Sequence, residues 1–127
     1  MRRLAARDGR VRVRVEVRDM AAAMAEADLA IGAGGATIWE RCTLGLPAVL
    51  VVLAPNQEAV GALLGRAGVV ETVDAGASDF EAAFDRAFTG LTRGPDRRAR
   101  MSALGAAMCD GRGAERVAQA FLELMRH

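Results

Sequence analysis

The stretch PAVLVVLA, Pro47 to Ala54, constrains the fold more than any other. It is apolar without a break. Successive side chains of a strand point to opposite faces, so a strand with one wet face alternates apolar and polar residues. A continuous run asks for burial on both faces, as in a parallel sheet covered by helices. At eight residues it is far shorter than the roughly twenty needed to cross a bilayer, and no membrane span is expected.

The flanking segments extend the pattern. VRVRVEV (Val11–Val17) alternates valine with charge and reads as a strand with one wet face at a sheet edge. DMAAAMAEA reads as a short helix with Asp19 as its N-cap. DLAIGAG is an apolar strand. ATIWERCTLG is a helix that stops at Gly45 before Pro47. NQEAVGALLGRAG is a helix closed by Gly68, and VVETV a short strand. SDFEAAFDRAFTGL is a helix capped by Ser78 or Asp79, with Phe80, Ala83, Phe84, Ala87 and Phe88 at helical spacing. PDRRARMSALGAAMCD opens with proline at N1, and GAERVAQAFLELMR is a final amphipathic helix. The order β-α-β-α-β-α-β-α-α-α implies an α/β fold, a parallel sheet with helices on both faces. At 127 residues the chain is one domain or part of one.

Composition excludes several chemistries. All 17 basic residues are arginine, which rules out a phosphate-binding P-loop and a Schiff-base lysine. The net charge of +1 gives no reason to expect nucleic acid, and the basic start (Arg2, Arg3, Arg7, Arg10) reads as a solvated end. The sole histidine is His127, so no catalytic histidine is expected inside the chain. Cys42 and Cys109 lack a metal-ligand pattern and read as reduced thiols of a cytoplasmic protein. No apolar segment follows the basic start as in a signal peptide.

Chemistry is expected at GAGGAT, Gly32 to Thr37. Ligands of open parallel sheets sit beyond the carboxyl ends of the strands. Glycine admits close backbone approach and positive φ, and the start of the next helix suits a phosphate. Thr37 could add a hydroxyl. The spacing is not GxGxxG, and a tight turn without a ligand explains it equally well. Thr37 and Glu40 also match a capping box; alternatively Glu40 faces the crevice and accepts the hydroxyls of a ribose. Asn56, in the strand-end loop APNQE, either caps the following helix or joins Gln57 in amide contacts to a sugar or diphosphate. Trp39 is read as a packing residue, and DGRGAER as a plain turn between helices.

Together, MAEADLAIGAGGATIWERCTLGLPAVLVVLAPNQ and the closing DGRGAERVAQAF resemble the C-terminal half of the nucleotide-sugar hydrolases of pseudaminic acid biosynthesis. Those enzymes share a two-domain GT-B-like superfamily with the UDP-GlcNAc transferase of lipid II synthesis. The resemblance implies a Rossmann-like lobe that binds UDP. It further implies hydrolysis of UDP-2,4-diacetamido-2,4,6-trideoxy-β-L-altropyranose to UDP and free sugar, without metal or cofactor. Water would attack the anomeric carbon. Carried over, Gly34, Gly35 and Thr37 cradle the diphosphate, Glu40 holds the ribose, and Asn56 and Gln57 line the sugar-diphosphate side. Ala36 stands where such enzymes often have serine or threonine, which leaves the phosphate contact to backbone N–H groups and Thr37.

The family's catalytic histidine lies in a GxGH motif that this sequence does not contain. The resemblance therefore casts residues 1–127 as a partial C-terminal domain, inactive alone and entered at its third strand. Val11–Val17 is then expected either to pair directly with Leu29–Ile31 or to stay loosely attached. Three other readings remain open at this point: the lobe of a UDP-sugar glycosyltransferase, a non-catalytic module that docks to a separately encoded N-terminal partner, and a decayed fragment.

Overall fold

A computed structural model describes Arg3 and residues 6–126, so Arg2 and His127 lie outside the described residues. The helices are α1 (Met20–Ala25), α2 (Thr37–Thr43), α3 (Glu58–Arg66), α4 (Phe80–Thr92), α5 (Pro95–Met108) and α6 (Gly113–Met125). Among the described residues the strands are β1 (Ala30–Ala33), β2 (Ala48–Val52) and β3 (Glu71–Asp74), and a 3₁₀ turn spans Pro55–Gln57. The sheet is parallel throughout, in the order β1-β2-β3.

β2 is the central strand, and it is buried as its unbroken apolar run requires. On one face Ala48 and Leu50 pack with Ile38 and Cys42 of α2, Leu64 of α3, and Val69 and Val70. On the other, Val49 joins Val73 of β3, Ala87 and Leu91 of α4 and Met101 of α5. Gly105 of α5 lies against the Cys42 backbone, which ties α5 to α2 across the end of the sheet. Each fully buried Leu or Val contributes about 1.5–3 kcal/mol relative to exposure. The architecture is α/β and Rossmann-like, with helices on both faces of a parallel sheet.

The local stop signals act where expected. Asp19 accepts from the Ala22 N–H at 2.9 Å and caps α1. Gly45 follows α2 at φ +61°, a conformation that costs glycine little. Pro95 opens α5.

Val11–Val17 departs from expectation. The segment is irregular, so the described sheet has three strands where the sequence order predicted four. Of the two outcomes foreseen for it, loose attachment is the one observed. Val15 is 62% exposed, and Glu16 sits at φ +54°. The physical reason is missing cover. A parallel crossover takes about a dozen residues or more and a helix to lie over the strands. α1, which follows the segment, buries none of its residues.

Candidate functional site

The parallel register brings the carboxyl ends of the strands to one edge. Ala33 stands opposite Val51, and Val52 opposite Asp74. The glycine turn after β1 and the Leu53–Gln57 loop after β2 therefore meet. A Cβ on Gly34 would lie 3.2 Å from the Gln57 Cβ, so the loops approach closely enough that any larger residue would have to push Gln57 aside. Gln57 in turn braces its own loop, with Oε1 accepting from the Leu53 N–H at 3.0 Å.

The turn works through space rather than unusual backbone. None of Gly32, Gly34 or Gly35 has positive φ, against the sequence expectation. Gly35 N–H donates to the Ala33 carbonyl at 3.0 Å and is thus committed within the turn. The N–H groups of Ala36 and Thr37 have no backbone acceptor among the described residues. α2 has only seven residues, so its dipole offers less than the sequence suggested.

Three local readings need correction. The capping box does not form. Ala36 occupies the N-cap position in αR conformation, and no side chain caps α2. Thr37 is instead the first helical residue, and its Oγ1 accepts from Arg41 Nη2 at 3.0 Å. Glu40 lies exposed in the first turn with no hydrogen bond among the described residues. Asn56 does not cap α3 either. It lies exposed within the 3₁₀ turn, and the N-cap position belongs to Gln57, again without a side-chain bond. Trp39 is not a packing residue, being 43% exposed. The buried side of α2 consists of Ile38, Arg41 and Cys42, and Trp39 points away from it.

Arg41 is the residue that sequence reading missed. It is 8% exposed, the buried charged side chain of the described chain. Its guanidinium fills the place that a side chain on Gly32 would take, since a Cβ there would stand 2.5 Å from Nη2. Nη1 is buried with no hydrogen-bond partner. Burial pushes the guanidinium below its ordinary pKa, and the nearby Cys42 and Glu40 pull it back. It stays a cation, as arginine does in proteins. The signal was present in the sequence: Arg41 falls three residues after Ile38 and next to Cys42, on the apolar side of the helix.

The result is an open ledge. Gly35, Ala36, Thr37, Glu40 and Asn56 are exposed along it, and beneath lies the Arg41 cation, whose Nη1 has no partner among the described residues. Free N–H groups, a hydroxyl over a buried charge, a free carboxylate and two amides can together meet a phosphorylated, hydroxyl-rich ligand. The sequence profile of the Glycosyltransferase family 28 C-terminal domain matches residues 9–76, more than half the chain. The chain belongs to this family. No curated protein matches it. As a glycosyltransferase family 28 C-terminal domain it is a GT-B-type lobe of a family that handles nucleotide sugars. The matched span contains β1 to β3 and every residue of the ledge. Among the described residues, no helix is long and apolar enough to cross a membrane.

Proposed function

We propose that the chain is the UDP-binding lobe of a nucleotide-sugar hydrolase of pseudaminic acid biosynthesis. That enzyme releases UDP and free 2,4-diacetamido-2,4,6-trideoxy-L-altrose. The observation that carries the nucleotide part is the meeting of the glycine turn with Gln57, beside an uncommitted Glu40. The hydrolase part rests on the resemblance of GAGGATIWERCTLGLP and the NQ loop described above.

In this reading the Ala36 and Thr37 N–H groups and the Thr37 hydroxyl hold the diphosphate. Gly34 and Gly35 keep the approach open. Glu40 accepts the two ribose hydroxyls, a charge-assisted contact. Asn56 and Gln57 face the sugar and diphosphate. Residues 1–127 act as a partial domain: the general acid/base comes from a second, N-terminal lobe, and the chain alone is inactive. The free thiols Cys42 and Cys109 favour a cytoplasmic setting.

The family description equally supports a UDP-sugar glycosyltransferase, which would use the same ledge and a different second lobe. A module that docks to a separately encoded N-terminal partner is compatible with either chemistry.

Titration of the chain with UDP, UMP and ADP tests the nucleotide reading. Preference for UDP supports it, and equal or absent binding of all three overturns it. Glu40→Gln tests the ribose contact. Losing a hydrogen bond to a charged group costs about 1.5–3 kcal/mol, roughly a tenfold to hundredfold loss of UDP affinity. Because Glu40 caps nothing, thermal stability should not move. Unchanged UDP affinity would remove Glu40 from the site.

A further inference from the structure

The floor of the glycine turn holds a charge that the free chain leaves unmatched. Arg41 is more than nine-tenths buried, yet among the described residues the guanidinium makes one side-chain hydrogen bond, to Thr37, and Nη1 makes none. Glu40, its sequence neighbour, is exposed and does not pair with it among the described residues. A buried cation short of acceptors destabilises a fold, and an apolar side chain of similar length is often tolerated as well or better. A floor of this kind is explained if the missing negative charge arrives with a ligand.

The geometry shows how the charge would be transmitted. A threonine hydroxyl has one proton to donate and two lone pairs. One lone pair of Thr37 Oγ1 is taken by Arg41 Nη2 from below. The proton is then free to point outward, where Thr37 is exposed beside the free N–H groups of Ala36 and Thr37. A hydroxyl that accepts from a cation is polarised and becomes a stronger donor. Gly32 completes the arrangement, because any side chain there would push the guanidinium out of place.

We propose that Arg41 is a positioning residue that makes this turn select nucleoside diphosphates over nucleosides, acting through Thr37 rather than by touching the ligand. The inference rests on the nucleotide reading of the site. It adds the source of phosphate discrimination, a buried charge relayed by one hydroxyl. Since the charge lies beneath the surface, salt screens it less than it would an exposed arginine.

The test is titration of the full chain with uridine, UMP and UDP, followed by amide chemical shifts. It compares the wild type with Arg41→Met, Thr37→Val and the double variant. The wild type should bind more tightly with each added phosphate. Each single variant should lose about tenfold or more in UDP affinity, the loss expected of one charge-assisted hydrogen bond. Uridine affinity should stay within about twofold, the ribose and base contacts being untouched. The double variant should lose little beyond either single one, because both break the same relay. Arg41→Met should melt no lower than the wild type, since it removes an orphaned charge. Equal losses for uridine and UDP, together with a lower melting temperature, would make Arg41 a structural prop and overturn the proposal. So would an Arg41→Met chain that keeps its preference for UDP. A wild type that binds none of the three compounds overturns the nucleotide reading itself, a separate and recognisable failure that takes this inference with it.

Discussion

β2 and α6 are equally plain in the sequence and end in opposite surroundings. β2 is an unbroken apolar run, and the structure seals it on both faces. α6 is strongly amphipathic, with Val117, Phe121 and Leu124 one and two turns apart, yet it buries none of its residues. Sequence pattern fixes what an element asks for. Whether the rest of the chain answers is a separate matter. β2 brings its own cover, because α2, α3, α4 and α5 all come from the same 127 residues. α6 is held to the body by its connecting turn, and its apolar stripe faces outward.

The sharpest test of this contrast is a pair of truncations. Leu50→Ala removes a fully buried side chain at the centre of the sheet. It should cost about 3–5 kcal/mol in chemical denaturation, the upper range for core leucines. Phe121→Ala removes a larger side chain that is 64% exposed. It should cost less than about 0.5 kcal/mol, as surface substitutions do. A cost of several kcal/mol for Phe121→Ala that grows with protein concentration would mean that α6 is covered in solution by another copy of the chain.

The same contrast explains what was legible. The helices from α2 onward, the double burial of β2, the stops at Gly45 and Gly68 and the opening Pro95 depend on near neighbours and could be read directly. The Val11–Val17 strand could not be, because alternation names the face that wants burial without supplying a partner strand or helix. At the site, the meeting of Gly34 with Gln57 followed from the parallel topology. The Thr37–Glu40 capping box failed for a local reason. The helix starts one residue earlier than the box needs, which places Thr37 at N1 and frees it to meet Arg41. Arg41 was passed over because an arginine is expected to be exposed, although its helical position marked it as inward.

β1 lies between the two extremes, with β2 along one edge and, among the described residues, no strand along the other. Its glycines should separate accordingly. Gly32→Ala drives a methyl group into the Arg41 guanidinium and should destabilise by about 1–2 kcal/mol, the lower part of the overpacking range. At Gly35 an added Cβ meets nothing within 4 Å, and φ is not positive. Gly35→Ala should therefore stabilise by about 0.5 kcal/mol, through a less flexible unfolded chain. If both variants melt alike, the guanidinium does not rest against Gly32 in solution. A Gly35→Ala chain that is more stable yet binds UDP less well would show glycine kept there for access.

The smallest effect concerns how α6 is attached. Its N-terminal turn is polar: Asp110 accepts from the Arg112 N–H at 3.0 Å and from Arg116 Nη1 at 2.7 Å. The Arg116 side chain, followed by the Arg112 N–H, holds the Asp110 carboxyl at about 2, below its ordinary value of 3.8. A depressed carboxylate adds stability above its unfolded pKa and loses it as pH falls through the folded value. The contribution should thus be whole above about pH 4 and fade towards pH 2. The group is exposed, so the effect should be confined to α6 and weakened by salt. Helical circular dichroism should decline in that window in low salt, and Asp110→Asn should remove the extra step. Near-ultraviolet signals from Phe80 and Phe84, packed against the Val49 cluster, should not follow it. If the whole molecule unfolds together with that step, α6 is coupled to the core more tightly than its exposed apolar face allows, and the contrast between the two elements fails.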